Sequence, residues 1–229
     1  MRRILPGTLA LLAAFALIGL GVWQLERRVW KLDLIAHTQQ RLHAAPIPTP
    51  DPASWPTLTK ADAYTRLTAS GHFLKDAETP VLAVTNLGRG YWILTPFQTD
   101  TGFTILINRG FVPTEKRDPA TRPEPPLTNP TTVTGLLRLT EPHGAFLHTN
   151  NPTQNRWYSR DVAAIATTRH LTNTAPYFID ADATSTPNTP VGGLTVVTFP
   201  NNHLVYALTW FTLALMAAAM AFKLFMKKK

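Results

Sequence analysis

The chain has 229 residues, of which 45% are hydrophobic and 20 are prolines, and it contains no cysteine. The absence of cysteine excludes disulfides, thiolate chemistry and cysteine-attached haem. The formal charge is +8, but six basic residues stand at the two ends, which leaves 16 of the 22 basic residues against all 14 acidic residues in between. Those 16 are scattered and form no basic stripe, so we expect no nucleic-acid partner.

The first predicted element is a membrane helix. No charge occurs in residues 4–23, a length close to the roughly 20 residues needed to cross a bilayer. A cleaved signal peptide is the alternative, because Arg2 and Arg3 form a short basic segment. However, the apolar run is longer than usual and no Ala-x-Ala precedes Trp23. The span begins almost at Met1, which leaves no room for a mitochondrial presequence and favours a bacterial cytoplasmic membrane.

The helix is expected to continue beyond the membrane. Apolar residues recur at helical spacing from Leu25 to Ala36, which predicts a helix to about Leu42. Residues 45–50 contain three prolines and end it. We therefore divide the chain into an N-terminal segment with the first transmembrane helix (1–23), a helical extension (24–45), a β-rich extracytoplasmic domain (46–200), and a second transmembrane helix with a basic cytoplasmic tail (201–229).

The middle of the chain is predicted to be rich in β-strands. Short runs of strand-forming residues are bounded by turn residues at 65–73, 80–85, 91–98, 103–108, 131–139, 177–180 and 194–199. Residues 99–102, Thr-Asp-Thr-Gly, predict a hairpin between the third and fourth runs. One helix is predicted at 159–170, with Ser159 as its cap and Asp161 in its first turn. The alternation in 131–139 predicts a sheet exposed to water on one side.

A second membrane helix is predicted near the C-terminus. Residues 204–222 carry no charge, and Lys223 with the three lysines at 227–229 follows them. Basic residues next to a span tend to stay in the cytoplasm, so both termini are expected inside and the middle of the chain outside. Arg27, Arg28 and Lys31 argue for the reverse orientation of the first span. The predicted fold is an α+β membrane protein: two transmembrane helices flank an extracytoplasmic, mainly antiparallel β domain with one or two helices.

Hydrolase chemistry and a multi-histidine metal site are both poorly supported. Ser159, Asp161 and His170 are the residue types of a catalytic triad, but no Gly-x-Ser-x-Gly surrounds the serine. The helix predicted at 159–170 accounts for Ser159 as its cap and Asp161 in its first turn without any catalytic role. Four histidines lack the spacing of metal ligands and are interpreted as surface residues. These are His37, His43, His143 and His148.

His203 differs because it stands where the second apolar run begins. On a helix it shares a face with Tyr206, Ala207, Trp210 and Ala214. A polar group at membrane depth usually faces protein, cofactor or water, and neutral imidazole can bind haem iron while a porphyrin stacks on an aromatic or small-residue face. The alternative is a Tyr-Trp-His belt that anchors the helix among lipid headgroups, and spacing alone favours this belt.

Small residues spaced by four occur in both predicted spans. They are Ala10 and Ala14 in the first, and the pairs Ala214 with Ala218 and Ala217 with Ala221 in the second. Small residues allow two membrane helices to approach closely. The two spans are therefore expected to pack together or against the helices of a partner.

Six motifs are spread along nearly the whole chain: GVWQL (21–25), RVWK (28–31), GYWILTPF (90–97), INRGFVP (107–113), NRWYSRD (155–161) and NNHLVYALTW (201–210). Together they resemble the Surfeit locus protein 1 family, assembly factors for haem-copper oxidases. Phe111 stands where the family commonly has Trp, and Val205 stands where it commonly has Gln.

The resemblance implies a non-catalytic protein that binds haem A transiently, with His203 as iron ligand, and helps to place it in oxidase subunit I. Subunit I, haem A synthase and the lipid bilayer are the implied partners. Arg109 is expected to face a haem propionate or subunit I, although the Asn and Gly beside it also fit a simple turn at a strand end. Two alternatives are a scaffold that stabilises subunit I without carrying haem, and a membrane-bound hydrolase that uses Ser159.

Overall fold

The computed structural model describes residues 4–74, 77–124, 129–145, 147–184, 189–195, 197 and 199–226. They belong to two compact units, one made of Met1–Gln39 with Val197–Lys229 and the other of Gln40–Val196. Within the described residues there are three α-helices: α1 (Ile4–His43), α2 (Val162–Thr168) and α3 (His203–Met226). Seven strands are present in the same part of the chain: β1 (Ile47–Pro48), β2 (Arg66–Phe73), β3 (Thr79–Thr85), β4 (Gly88–Thr99), β5 (Thr104–Pro113), β6 (Thr131–Leu139) and β7 (Thr174–Ala181).

Helices α1 and α3 are both long and apolar enough to cross a membrane. Many of their large apolar side chains point outward: Phe15 is 63% exposed and Leu215 is 71% exposed. The buried positions of both helices are instead small residues. A helix with large apolar side chains on its outer surface matches a lipid environment. The pair therefore fits association with a membrane.

The β unit is built around a closed ring of five strands. The sheet order is β1-β2-β6-β7-β5-β4-β3, and β2 additionally pairs with β4. This extra pairing, with Phe73 opposite Phe97, closes β2, β6, β7, β5 and β4 into a barrel. All ring pairings are antiparallel except that of β5 with β7. Closure removes the unpaired strand edges that an open sheet would expose.

Two apolar clusters lie on opposite faces of the ring strands because side chains alternate along a strand. On β5, Ile105 and Ile107 belong to the inner cluster, whereas Leu106 belongs to the outer one. On β7, Tyr177 and Ile179 point inward and Phe178 points outward. The inner cluster draws on all five ring strands and forms the barrel core. The outer cluster packs under α2 and includes Val81, Leu94, Trp157, Val162 and Ile165.

Asn108, Arg109 and Gly110 lie inside β5 and do not form a turn at its end, which corrects the simple interpretation of the Asn-Arg-Gly motif. The register of β4 with β5 shifts here, because Leu94 pairs with Asn108 whereas Trp92 pairs with Phe111. The extra residue makes a β-bulge. Gly110 has a φ of 132°, and a Cβ at this position would collide with the backbone of Val191. Glycine therefore allows the bulge and the close approach of residue 191.

Helix α2 is shorter than the predicted 159–170, and Ser159 is not its cap. Asp161 is the N-cap, since its carboxylate accepts a hydrogen bond from the backbone N–H of Ala164 at 3.1 Å. Ser159 Oγ instead accepts hydrogen bonds from Gly144 N and Asn150 Nδ2, both at 3.0 Å. The helix ends at Thr168, and His170 adopts a left-handed φ of 54° that stops further helical turns.

The strand predicted at 194–199 is wrong for the residues of it that the structure describes. Residues 194, 195, 197 and 199 form no strand, while 196 and 198 lie outside the described residues. The ring strands already pair on both sides, which leaves no edge of β7 for another strand. Thr195 instead donates its hydroxyl to Asp180 Oδ2 at 2.9 Å.

Candidate functional site

Helices α1 and α3 pack through small residues spaced by seven. The buried positions include Gly7, Ala14 and Gly21 on α1, and Ala207, Ala214 and Ala221 on α3. A seven-residue repeat keeps one seam of each helix in contact with the other. The structure confirms that the two helices pack together. The repeat is seven residues, however, and not the four suggested by the alanine pairs.

Two phenylalanines fix the register of this pair. A Cβ on Gly7 would lie 2.7 Å from the ring of Phe225, and a Cβ on Gly21 would lie 2.5 Å from the ring of Phe211. Because Gly7 meets the end of α3 and Gly21 meets its beginning, the helices run antiparallel. Each glycine supplies the space that a facing aromatic ring fills, and this close packing brings the N-terminal end of α3 beside residues 21–24 of α1.

A hydrogen bond between His203 and Gln24 stands at that end of the helix pair. His203 is the first residue of α3, and its Nδ1 lies 2.7 Å from Oε1 of Gln24. An amide oxygen only accepts hydrogen bonds, so Nδ1 is the donor when Oε1 of Gln24 faces the ring, and in the neutral imidazole Nε2 then keeps its lone pair. Both side chains are half-buried. In the part of the chain that the structure describes, Nε2 of His203 has no hydrogen-bond partner.

The helical face predicted around His203 is divided between two environments. Ala207 and Ala214 are 1% and 3% exposed and pack in the seam, so they are not available for a porphyrin to stack on. Tyr206 is 55% exposed, and Trp210 is half-buried. The aromatic side chains therefore remain accessible beside the imidazole, whereas the small residues serve helix packing.

Basic side chains continue from Gln24 along the same face of α1. Arg28 and Lys31 follow it by four and seven residues, which places them about 6 and 10 Å further along the helix axis. Both are half-buried. The Lys31 ammonium lies 5.1 Å from the ring centroid of Phe199, four residues before His203. Arg27, on an exposed face, places its guanidinium 3.9 Å over the ring of Trp30.

Arg109 belongs to a buried cluster of four charges in the β unit. Its Nη1 lies 2.7 Å from Glu78 Oε1, and its Nη2 bonds Glu124. Arg122 bonds Glu78 and lies 3.2 Å from Glu124 Oε1. Two positive charges thus meet two negative charges inside one unit. The expectation that Arg109 faces a propionate or subunit I gains no support, since its charge is balanced internally.

A cleft of about 510 Å³ opens beside Arg109 in the β unit. Phe73 and Ile107 contribute apolar surface, and residues 131–134 and 181–184 contribute both polar and apolar side chains. Asp182, also at this cleft, is bound to Arg66. Each charged side chain that we find along its described walls is therefore already paired with an opposite charge. The cleft does not bring together a set of groups that would select a particular ligand.

The motif NRWYSRD serves the packing of the β unit. Trp157 fills the outer core and donates its ring N–H to Asn155 Oδ1 at 3.0 Å. Arg160 bonds Glu141 and lies 3.3 Å from Asp180 Oδ1. Burial lowers the pKa of the Arg160 guanidinium, but the hydrogen bond with Glu141 and the charges of Asp180 and Glu141 more than offset it, so the pKa is raised.

The other candidate residues do not assemble into a reactive site. Ser159 is hydrogen-bonded to Gly144 and Asn150, and Asp161 caps α2, so neither is engaged with His170. His148 stacks on Tyr158 with ring centroids 4.8 Å apart. The remaining predicted surface histidines, His37, His43 and His143, are exposed. Over the residues described, no group of three or more His, Asp or Glu side chains could hold a metal ion.

Sequence reasoning did not assign a role to Gln24. A signal was present: Gln24 is a lone amide in an otherwise apolar stretch, three residues after Gly21 and therefore on the buried face of α1. Its partner His203 is 179 residues away in the chain. Only the antiparallel packing of α1 against α3 shows that the two side chains meet.

Comparison with known proteins agrees with the motifs. The model of the SURF1 family matches residues 11–215. Surfeit locus protein 1 of Rattus norvegicus is 40% identical over 228 residues, covering 92% of this chain and 72% of the relative. The Homo sapiens protein of the same name is 37% identical over 236 residues, covering 95% and 76%. The Takifugu rubripes protein is 37% identical over 229 residues, covering 92% of each chain.

The fold and the site define a class of protein with two apolar helices, suited to a membrane, on either side of a β barrel in sequence, and with a histidine-amide pair where the helices meet. The chain belongs to the SURF1 family.

Proposed function

We propose that this chain is an assembly factor for a haem-copper terminal oxidase, which holds haem A at His203 and assists its insertion into subunit I. The observation that carries the proposal is the state of the His203 imidazole. Its Nδ1 is bound to Gln24 at 2.7 Å, and in the neutral imidazole this hydrogen bond leaves the lone pair of Nε2 free, the form in which imidazole ligates haem iron.

The surroundings of His203 fit the other parts of haem A. Arg28 and Lys31 are half-buried cations on the face of α1 that carries Gln24, and they suit the two propionate carboxylates. Tyr206 offers an exposed aromatic ring on the next turn of α3. The outward apolar side chains of α1 and α3 face the environment in which the farnesyl tail would lie. Iron, carboxylates and tail thus each have a matching group near one helix end.

The charges at the C-terminal end of α3 support one orientation in the membrane. Lys223 lies in the last turn of α3, and the three residues after Met226 are all lysines, whose placement lies outside the described residues. The C-terminus of α3 then faces the cytoplasm, and His203 lies at the opposite membrane surface. The β barrel would be extracytoplasmic, periplasmic in a bacterium, with both chain termini in the cytoplasm. The bacterial cytoplasmic membrane stays a prediction, since the three relatives described above are animal proteins.

Purification from cells that make haem A tests the proposal. The wild-type chain is expected to retain a haem spectrum, and the extracted pigment should be identified as haem A. His203→Ala should lose that spectrum, whereas His37→Ala, which changes an exposed histidine on α1, should keep it. Equal haem in wild type and His203→Ala would overturn the ligand assignment. Copurification with subunit I when haem A synthesis is blocked would instead support the scaffold that carries no haem.

A further inference from the structure

We infer that Gln24 is a positioning residue for the haem ligand: its amide oxygen selects the imidazole tautomer of His203 and aims Nε2 at the iron. The inference rests on the proposed function, because it assigns a task to a second residue of the same site. It concerns the contact between Nδ1 of His203 and Oε1 of Gln24 at 2.7 Å. The imidazole nitrogen that carries the proton is set by the hydrogen bond that this nitrogen makes.

The position of Gln24 is set by the packing of its own helix. Gly21, one turn earlier, is buried against the ring of Phe211, and Ala207, one turn after His203, is buried in the same seam. The two polar side chains therefore lie beside the helix contact that Gly21, Phe211 and Ala207 form. The backbones beneath them are held in place, and the hydrogen bond only has to orient side chains. Such preorganisation lowers the entropy lost when a ligand binds.

The chemistry of the acceptor suits a ligand that must be released. Hydrogen-bond partners of ligating histidines raise ligand basicity, and their loss typically costs roughly 10–100-fold in metal affinity. A carboxylate partner would draw the proton strongly and make the imidazole a stronger donor. The neutral amide of Gln24 polarises the ring less than a carboxylate would. His203 should thus hold iron firmly enough for transport, and less firmly than a histidine paired with a carboxylate.

Three variants of the full-length chain separate this role from a purely structural one. Gln24→Leu removes the acceptor, Gln24→Glu replaces it with a carboxylate, and Glu26→Gln is the matched control at an exposed position of α1. The frequency of the ferrous iron–histidine stretch, measured by resonance Raman spectroscopy, reports the basicity of the ligating nitrogen. It should fall in Gln24→Leu, rise in Gln24→Glu and stay unchanged in Glu26→Gln. Haem A affinity should fall about 10–100-fold in Gln24→Leu.

A second measurement needs no haem. Nitrogen-15 NMR of the histidine rings in the haem-free protein, with the His203 signals assigned by their loss in His203→Ala, reports which ring nitrogen carries the proton. Wild type should show the proton on Nδ1, and Gln24→Leu should shift it toward Nε2. If the tautomer and the stretching frequency are the same in wild type and Gln24→Leu, the role of Gln24 is overturned while His203 stands. If His203→Ala retains haem, the proposed function itself fails.

Discussion

Gly21 of α1 lies against Phe211 of α3 so closely that a Cβ on the glycine would be 2.5 Å from the ring. This contact lies three residues, or about one helical turn, before Gln24 on α1, and it sets the distance between the helices at the site. A side chain at residue 21 must therefore push the helices apart or displace the ring. The glycine at residue 21 therefore influences the distance between Gln24 and His203.

We expect Gly21→Leu to destabilise the helix pair by about 1–3 kcal/mol, the usual cost of adding atoms to a closely packed contact. Gly19→Leu is the matched control, because a Cβ at residue 19 meets nothing within 4 Å. Since leucine favours a helix over glycine by up to about 1 kcal/mol, the control should be as stable as wild type or more so. Thermal unfolding in detergent, followed by circular dichroism, gives the comparison. An equal change in thermal stability for the two variants would show that Gly21 does not lie in the contact between the helices.

Removing a carboxylate from the buried charge cluster should destabilise the β unit far more than removing one from the more exposed pair of Arg66 and Asp182. Glu78→Gln leaves Arg109 and Arg122, whose side chains are 8% and 1% exposed, with one carboxylate between them. Breaking a buried pair in this way costs about 3–5 kcal/mol. Asp182→Asn breaks the more exposed pair with Arg66 and should cost about 0–1 kcal/mol.

Urea unfolding of the full chain, followed by tryptophan fluorescence, measures both of these changes. Trp157 is 2% exposed in the same unit and reports its unfolding. A midpoint for Glu78→Gln that equals that of Asp182→Asn would show that the cluster does not stabilise the barrel.

Tyr177 makes the barrel sensitive to alkaline pH. Its ring is fully buried, its hydroxyl donates to Pro50 O at 3.1 Å, and burial raises its pKa above the ordinary value of 10.0. Folding therefore favours the protonated phenol. This contribution is fully present below the unfolded pKa and is lost as pH rises through it toward the folded pKa.

Tyr177→Phe should remove that part of the pH dependence and cost about 1 kcal/mol at neutral pH, where the hydrogen bond is lost. The melting temperature of wild type should fall more steeply than that of the variant as pH rises above 10.0. Parallel curves for the two proteins would show that Tyr177 does not cause the effect.

Arg28 and Lys31 are expected to bind the propionates of haem A. Replacing each with Gln should weaken haem binding by about 1 kcal/mol, roughly fivefold in Kd, as for a partly exposed ion pair. Arg27→Gln is the control, because Arg27 is exposed and stacked on Trp30. The dimethyl ester of the haem lacks propionate charge and should bind wild type and the double variant equally. If the double variant loses as much affinity for the ester as for the free acid, relative to wild type, these two contacts with the propionates are excluded.

Local sequence patterns predicted most strands because alternation along a strand depends only on neighbouring residues. The strand at 131–139 and the hairpin through 99–102 are present as expected. Closure of the barrel was not predictable in this way, since the pairing of Phe73 with Phe97 joins strands that another strand separates in the chain. The cap of α2 was misassigned because Ser159 and Asp161 are both good caps, and only the fold shows that Ser159 bonds Gly144 and Asn150.

The sequence alone identified one of the two residues of the hydrogen-bonded pair at the site. His203 could be found from its residue type and its place at the start of an apolar run. Gln24 could not be assigned, because its contact depends on the register between α1 and α3, which the facing rings of Phe211 and Phe225 fix. For the same reason the face shared by His203, Ala207 and Ala214 looked like one surface, although the alanines are buried in the seam.

Chemical rescue tests the central claim, that Nε2 of His203 ligates the iron, most directly. His203→Gly removes the imidazole and leaves the space of its ring. The variant purified from cells that make haem A should carry no haem spectrum, and added imidazole should restore haem binding with a spectrum like that of wild type. A His203→Gly protein that retains the wild-type spectrum without imidazole would contradict the account.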